Sequence, residues 1–483
     1  MSEFRRQHPI AAVTQLFVVI RQNIVPFIIF VVLGSRNSGE YFWLIVLLGI
    51  IVTFVLGVVG WFRFTFRVRE DELQINKGIF VRKKLYLSKD RIQVIDITEG
   101  LIQRMFGLVK VEIKTAGGGT EKATISAITR SDAVQLRTLL REKEVQRPAE
   151  SESLTEISGE LENTVVSNES NKIWVLSNRD LFYAALTSGN FGVIASILGA
   201  LSGQLDQFIT EENMDYIFGL LPGFSQLTVI LWSILFILLI SYLLSFIGVI
   251  LRYGDFKIEK KEKELQITSG LLERKQLTVP FDRVQAFRFV EGVLRQPFGY
   301  GMLYVESAGF EQKENDRSIV VLPFVKRAKL SSFLEEFMDE APDESTCIVP
   351  PKRSLFRYIR QPNYLLLIVI PVLWIFFDWA WMLSALVIPF SLFGWLEYKD
   401  AKIEVAENTV LMQFRNLART TAIVKINRAQ VSEISMNPFQ RRKHLATVSI
   451  TAASGAGGKS FTVDDLDAND AERLLKWPIA RAS

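Results

Sequence analysis

Six apolar blocks, arranged in three pairs, constrain this chain more than any other feature of its sequence. They run roughly Leu16–Leu33, Tyr41–Phe62, Leu181–Leu201, Leu227–Leu251, Tyr364–Phe377 and Trp379–Leu396. A helix needs about 20 apolar residues to cross a hydrocarbon core of about 30 Å. The second and fourth blocks meet this easily. The first contains Arg21, Gln22 and Asn23, and the fifth and sixth are short, with Asp378 between them. Paired, the blocks read as three two-helix hairpins within residues 1–62, 173–252 and 354–397. They leave three polar segments, 63–145, 253–340 and 398–483, with linkers at 146–172 and 341–353. The 49% hydrophobic content of the 483 residues is ordinary, but its collection into blocks excludes both a single soluble domain and a disordered chain. The amino terminus has no A-x-A-like cleavage site and its apolar run continues into a second block, so no cleavable signal peptide is expected.

Loop charge predicts the orientation. The hairpin tips 35–40 and 203–225 hold a single basic residue, Arg36, against Glu40, Asp206, Glu211, Glu212 and Asp215, and Asp378 marks the third tip. The other 55 of the 56 Lys and Arg residues lie at the opposite ends of the spans or beyond them. Basic loops stay on the cytoplasmic side, so the N-terminus and all three polar segments are expected there. The net charge of +4 is too small to suggest nucleic acid. One cysteine, Cys347, excludes a disulfide framework and a Cys-based structural zinc site.

The chain also repeats itself. Leu73-Gln74-Ile75, Asp90-Arg91-Ile92-Gln93, Glu99-Gly100 and Phe106-Gly107 recur as Leu265-Gln266-Ile267, Asp282-Arg283-Val284-Gln285, Glu291-Gly292 and Phe298-Gly299, always 192 residues on. A more worn third copy follows at an offset of 145, with Lys402-Ile403-Glu404 matching Lys257-Ile258-Glu259 and Arg428 matching Arg283. Pro438-Phe439 matches Pro297-Phe298 at 141, so four residues are missing between Gln430 and Pro438. Each unit is a hairpin followed by a polar segment. The acidic, Ser-rich stretch 141–171 reads as flexible, and 338–353 as a shorter Pro-bearing connector.

Within the first polar segment, Arg63–Arg69 alternates aromatic with basic or polar residues, the period of a half-buried strand. Glu72–Asn76, Phe80–Leu87, Ile92–Thr98, Leu108–Lys114 and Lys122–Ala127 read as further strands, with turns at Gly78, at Ser88-Lys89-Asp90 and at 116–119. A closing helix is expected after an N-cap at Ser131, burying Val134, Leu136, Leu139 and Leu140. The other units end alike, at Arg327–Met338 and Asn469–Lys476. About six strands closed by one helix is a pleckstrin-homology-like (PH-like) plan.

The hairpin-then-strands unit, with Gly78, Asp90-Arg91-Ile92-Gln93 and the Phe106-Gly107 turn, resembles the second type of the bacterial PH domain family. The threefold order resembles the YdbT-like multi-spanning membrane proteins. The resemblance covers nearly the whole chain. The third unit departs from it, with Asn427 for Asp282 and Phe439-Gln440 for the Phe-Gly step. What is implied is a membrane α+β fold: six transmembrane helices in three hairpins, each followed by a cytoplasmic PH-like β-sandwich or barrel with a C-terminal helix. The implied setting is a bacterial cell membrane. A smaller one-unit PH-domain membrane protein is the implied partner, meeting this chain through hairpins or exposed sheet edges. The resemblance implies no enzymatic activity.

Three groups of residues are candidates for function. Lys77, Arg82, Lys83 and Lys84 crowd the first hairpin turn of the strands, where PH domains elsewhere hold lipid phosphates. Each basic residue near an anionic leaflet contributes about 1 kcal/mol. The second unit has a mixed counterpart in Glu273, Arg274 and Lys275, and the third only Arg415 and Arg419. A polar cluster marks the hairpin entrances: Arg21, Gln22 and Asn23 in the first, Asn190 in the second, and Arg360, Gln361 and Asn363 in the third. Each follows a short Leu-Phe-containing stretch, read as a helix in the membrane interface. Such residues snorkel to headgroups or line a hydrophilic groove. The third group is the repeated turn pair Asp90-Arg91 and Asp282-Arg283, whose ordinary role is to hold a turn.

Other patterns fail on spacing. Residues 454–460 look like a phosphate-binding loop, but Ala453 stands where its first glycine belongs, so a hairpin turn is expected. Asp464, Asp465, Asp467 and Asp470 lack the glycine and closing glutamate of a calcium loop, and helix N-terminal charge explains them better. With only His8 and His444, no catalytic triad can be assembled, so no enzyme, cofactor or metal is expected. The reading is a non-enzymatic interaction platform at an anionic leaflet, tied to envelope integrity or protection. The rival is a transporter or lipid-handling protein working through the entrance clusters, against which the hairpins lack broken helices and internal charges.

Overall fold

The structure, a computed structural model, describes residues 4–14, 41–69, 72–79, 81–115, 123–141, 172–189, 226–307, 318–338, 346–406, 408–453 and 458–474. The first apolar block, most of the third, the linker 146–171, and Arg21, Gln22, Asn23 and Asn190 lie outside the described residues. Repeat one comprises β1 (Arg5–Arg6), α1 (Tyr41–Arg63), β2 (Thr65–Arg69), β3 (Glu72–Lys77), β4 (Lys83–Ser88), β5 (Ile92–Glu99), α2 (Leu101–Met105), β6 (Leu108–Thr115), β7 (Ala123–Thr129) and α3 (Arg130–Arg141). Repeat two has β8 (Ile173–Val175), α4 (Asn178–Leu186), α5 (Gln226–Tyr253), β9 (Lys257–Lys260), β10 (Glu264–Ser269), β11 (Arg274–Pro280), β12 (Val284–Glu291), β13 (Tyr300–Ser307), β14 (Ile319–Lys326) and α6 (Leu330–Met338). Repeat three has β15 (Thr346–Ile348), α7 (Leu355–Arg360), α8 (Tyr364–Phe376), α9 (Val387–Asp400), β16 (Lys402–Val405), β17 (Thr409–Arg415), β18 (Arg419–Lys425), β19 (Ala429–Ser435), α10 (Pro438–Arg441), β20 (Leu445–Ala452) and β21 (Lys459–Asp467).

Among the described residues, four helical stretches are long and apolar enough to cross a membrane: Phe42–Arg63, Leu231–Tyr253, Lys352–Phe376 and Asp378–Asp400. The short fifth and sixth blocks gain length from their neighbours. Alone, the 13 residues of α8 rise only about 20 Å, but α7 and a 3₁₀ turn run into it without a break. Phe377 is extended and ends that run, and a 3₁₀ stretch from Asp378 leads into α9. Trp43, Phe236, Ile375 and Ile388 point outward from these helices, the opposite of a water-soluble core.

The strands show how the repeats connect. Two compact units divide the chain, Met1–Trp174 with Asp255–Val279, and Val175–Gly254 with Pro280–Ser483. The first contains a four-stranded sheet, β1-β2-β3-β4, and a seven-stranded sheet, β7-β6-β5-β11-β10-β9-β8. The second contains the seven-stranded sheet β14-β13-β12-β18-β17-β16-β15 and the three-stranded sheet β19-β20-β21. Where the sequence suggests three polar segments each closed on itself, the strands of successive repeats pair edge to edge. The edges of β5 and β12 require partners for their amide and carbonyl groups, and the next repeat supplies them. Repeat two is thereby shared, with β9–β11 in one unit and β12–β14 in the other.

The first core draws alternate residues from both layers: Phe66, Val68, Leu73, Ile75, Leu85 and Leu87 from one sheet, and Ile95, Ile97, Val111, Ile113 and Ile125 from the other. α3 covers it with Ala133, Leu136 and Leu140. Two details correct the sequence reading. The helix begins at Arg130, where Thr129 rather than Ser131 takes the Asp132 amide at 3.1 Å. Val134 faces outward, because the buried stripe runs from Ala133.

Both junctions have the same register. Glu99 of β5 stands opposite Arg274 of β11, and Glu291 of β12 opposite Arg419 of β18. At the second junction the pair is bidentate, with Arg419 donating to both Glu291 oxygens at 2.7 Å. Hydrogen bonding to Glu291 holds the Arg419 guanidinium above its ordinary pKa. Arg327 donates to the same carboxylate at 2.8 Å and to Gln413 at 2.7 Å. Glu291 itself is fully buried. Glu291→Ala therefore leaves Arg327 without its acid and Arg419 with only Asp400 at 3.6 Å, and is expected to cost about 3 kcal/mol, reduced where Arg327 reaches water, read as a lower melting temperature of the solubilised protein. Arg419→Lys, which loses the two-pronged geometry, should fall between Glu291→Ala and the parent.

Candidate functional site

The basic turn of repeat one sits at the end of a membrane-length helix. Gly78 has φ +115°, and a Cβ there would lie 2.0 Å from the Val81 carbonyl oxygen, so only glycine allows the turn. Gly270 repeats the geometry against Glu273. The turn is fixed to the last turn of α1, where the Arg63 guanidinium donates to the Ile79 carbonyl. A Cβ on Gly60 would touch the Ile79 side chain at 3.5 Å. Arg82, Lys83 and Lys84 are exposed, and Lys77 stands directly opposite Lys83 across the strand pair. Like charges so placed are unfavourable unless an anion outside the protein compensates them. Val81, in the middle of the turn, is 70% exposed. The result is a cationic tip with one bare aliphatic side chain, held where α1 ends.

The counterparts differ. In repeat two, Glu273 and Lys275 pair at 3.7 Å, and the Leu271 carbonyl accepts from Arg104 at 2.7 Å. In repeat three, Arg415 and Arg419, which the sequence suggests as its only basic candidates, are not free for lipid. Arg415 is buried against Asp400 at 2.5 Å, and Arg419 serves the junction.

Polar anchors fasten the hairpins to the strands. In repeat one, Trp61 Nε1 donates to the Gln7 carbonyl at 2.8 Å. In repeat two, buried Arg295 donates to Thr187 Oγ1 at 3.0 Å and to the carbonyls of Ala184 and Pro323 at 2.8 and 3.1 Å, stitching the end of α4 to β14. Burial pulls that guanidinium below its ordinary pKa. In repeat three, Arg357 meets Asp465 at 2.7 Å, Arg353 meets Asp467 at 2.6 Å, and the Tyr358 hydroxyl donates to the Asp464 carbonyl at 2.6 Å. Asp465 adopts φ +54° and also accepts from Gln440 at 2.7 Å. Burial holds its carboxyl above the usual range despite Arg357. Asp464 and Asp465 thus seat the third hairpin's first helix, a role the sequence does not indicate, while Asp467 also accepts from the Asn469 amide at 3.0 Å at the start of the closing helix, as the reading of helix N-terminal charge expects.

At the third entrance, Asn363 is buried and its Nδ2 donates to the Ile359 carbonyl at 2.8 Å and to Ser391 Oγ at 3.0 Å, tying α8 to α9. Arg360 lies 5.6 and 5.4 Å from the ring centres of Phe356 and Tyr364, and Gln361 is exposed. The close approach is made at Gly394, where a Cβ would fall 2.3 Å from the Tyr358 carbonyl oxygen. The second hairpin has its own link, which sequence reasoning missed: Ser188 and Ser245 hydroxyls 2.9 Å apart, beside Tyr242 donating to Leu186 at 2.8 Å. Of the described entrance residues, Asn363 thus joins one helix to another, while Gln361 is exposed.

The Asp90-Arg91 and Asp282-Arg283 pairs lie in 3₁₀ turns, Lys89–Arg91 and Phe281–Arg283, where the chain passes from one sheet to the other. Asp90, Arg91 and Asp282 are exposed and Arg283 is partly so. Ala452 pairs with Lys459 across β20 and β21, so the segment resembling a phosphate loop connects a hairpin. Among the described residues no cluster of metal-ligating side chains occurs.

Comparison with known proteins agrees with the repeat. The profile of the bacterial PH domain family matches three times, at residues 19–144, 216–341 and 364–482. The chain is also 34% identical to the UPF0699 transmembrane protein YdbT of Bacillus subtilis (strain 168), over 99% of its own length and 98% of that protein's.

The packing at Gly394 gives a direct check. Gly394→Val forces α7 and α9 apart and should cost about 1–3 kcal/mol, as overpacking does elsewhere, lowering the yield and melting temperature of solubilised protein. Gly248→Ala is expected to be near neutral, since a Cβ there meets nothing within 4 Å.

Proposed function

The chain belongs to the bacterial PH domain family, and from that premise we propose that it is a non-enzymatic scaffold of the cell membrane, displaying its PH-like repeats along an anionic cytoplasmic leaflet. Six spans in three hairpins, with every polar segment on the cytoplasmic side, complete the scheme. The single observation that carries it is the tip formed by Lys77, Arg82, Lys83 and Lys84, fixed by Arg63 to the end of α1. Four such charges contribute about 1 kcal/mol each against an anionic surface, and exposed Val81 can enter the headgroup layer. A smaller one-repeat relative is the proposed protein partner, and envelope integrity or protection the proposed role. The carrier alternative places Arg21 and Arg360 along a passage. The bond from Asn363 to Ser391 favours helix packing instead.

Two measurements test this. With Cys347→Ser, an environment-sensitive dye at Val81→Cys of the full chain should shift to an apolar signal in nanodiscs of anionic lipid. The shift should shrink at high salt and after Arg82, Lys83 and Lys84 are changed to alanine. Equal signals in anionic and zwitterionic discs at low salt would refute the lipid contact. Separately, Arg21→Leu with Arg360→Leu should leave a scaffold's phenotype intact at normal abundance, whereas a carrier would lose function.

A further inference from the structure

Each internal junction joins a strand of the β4 type to a strand of the β5 type: β11 to β5, and β18 to β12. The first and last members of these series are left over. Among the described residues, β4 is the outer strand of its sheet, and β19 is the outer strand of its own. They are the two positions whose equivalents elsewhere in the chain are paired.

The correspondence can be set residue by residue. β5, β12 and β19 each bulge after their first residue, between Ile92 and Val94, Val284 and Ala286, and Ala429 and Val431. This shared irregularity fixes Val94, Ala286 and Val431 as equivalent. Val94 and Ala286 are buried at 7% and 1% exposure, and Ala286 belongs to the core shared with β16–β18. Val431 is 55% exposed. It is an apolar side chain in a position that is buried in the other two copies and that the second copy covers with the following repeat. At the other end, Arg82 precedes β4 where Arg274 and Arg419 begin β11 and β18. Lysines on an edge strand ordinarily discourage pairing, yet β11 carries Arg274 and Lys275 at the same places as Arg82 and Lys83 and is paired.

We propose that β4 of one molecule and β19 of a second copy of this chain pair antiparallel, continuing the register of the internal junctions from chain to chain. That register places Val431 opposite Leu87, Ser432 opposite Tyr86, Glu433 opposite Leu85, Ile434 opposite Lys84 and Ser435 opposite Lys83. Leu85 and Leu87 face the first core, so Val431 closes its rim as Ala286 does in the third repeat. Met436 stands where Glu99 and Glu291 face arginines, so the joint lacks that ion pair. Glu433 instead lies diagonal to Lys83, within reach of long side chains. A contact between two different surfaces of identical molecules closes a ring or extends a row, depending on the rotation it imposes.

The register supplies the test. In a Cys347→Ser background, full-length chains carrying Tyr86→Cys and differently tagged full-length chains carrying Ser432→Cys are co-expressed, and the membranes are oxidised mildly. Directly opposed Cβ atoms lie about 5 Å apart, so a disulfide between the two tags is expected. The pair Tyr86→Cys and Glu433→Cys, with side chains on opposite faces, should give at least fivefold less. Val431→Arg should convert oligomers to monomers in nanodisc mass measurements without changing the melting temperature, because Val431 is exposed in the single chain. The proposal is overturned by no inter-tag disulfide in folded protein, by equal yield from both cysteine pairs, by oligomers that ignore Val431→Arg, or by a disulfide to a different protein. The lipid contact of the tip is read independently by the dye at position 81, so either idea can fail alone.

Discussion

The backbone amides and carbonyls along a strand edge must find partners, and the arrangement of this protein follows from that demand. Successive repeats meet it by lending strands to one another. The junction acids reinforce the choice, since Glu291 is buried between Arg327 and Arg419 and would be costly to leave alone. A chain of beads on hairpins would have left four interior edges open. Among the described residues, sharing them gives each compact unit one seven-stranded sheet, beside a four-stranded sheet in the first unit and a three-stranded sheet in the second.

The second constraint is the coupling of membrane helices to strands. An apolar helix in lipid has no reason to hold a fixed angle to a polar domain outside it. Here each repeat supplies a different polar fastening: an indole on a carbonyl at Trp61, a buried guanidinium at Arg295, and a set of charge pairs around Asp465. These contacts differ chemically although the repeats share ancestry in their sequence, so the fastening matters more than the residues that make it. The tip around Val81 inherits its position from the same principle, through Arg63.

Much of this was legible in the sequence. Block hydropathy located the four described membrane-length helices, and in the first repeat the strand readings fall within a few residues of the observed strands. Glu99-Gly100 and Glu291-Gly292 were visible as a repeated pair, but nothing local indicates that the acid faces an arginine of the following repeat. Arg82 of the basic turn and its counterpart Arg419 look alike in the sequence, because a basic residue near a turn looks the same whether it faces a headgroup or a buried carboxylate. Only the strand order separates Arg419 from Arg82. The role of the 464–467 acids was hidden for a similar reason, since their partners Arg353 and Arg357 lie more than 100 residues earlier. The clusters at Arg21 and Asn190 fall outside the described residues.

The sharing of repeat two sets the phase at which this protein can be divided. The sequence period begins with a hairpin and ends with a helix, yet the compact units interleave with it: residues 175–254 belong to the second and Asp255–Val279 to the first, and the last seam falls at the turn after Val279. A fragment cut at the end of repeat one would bare the edge of β5, whereas loss or gain of material between equivalent sheet-crossing turns would keep every junction matched. Lengthening such a protein by duplication is therefore simplest as insertion of a whole period at that seam, which leaves the two outer ends unchanged however many repeats lie between them.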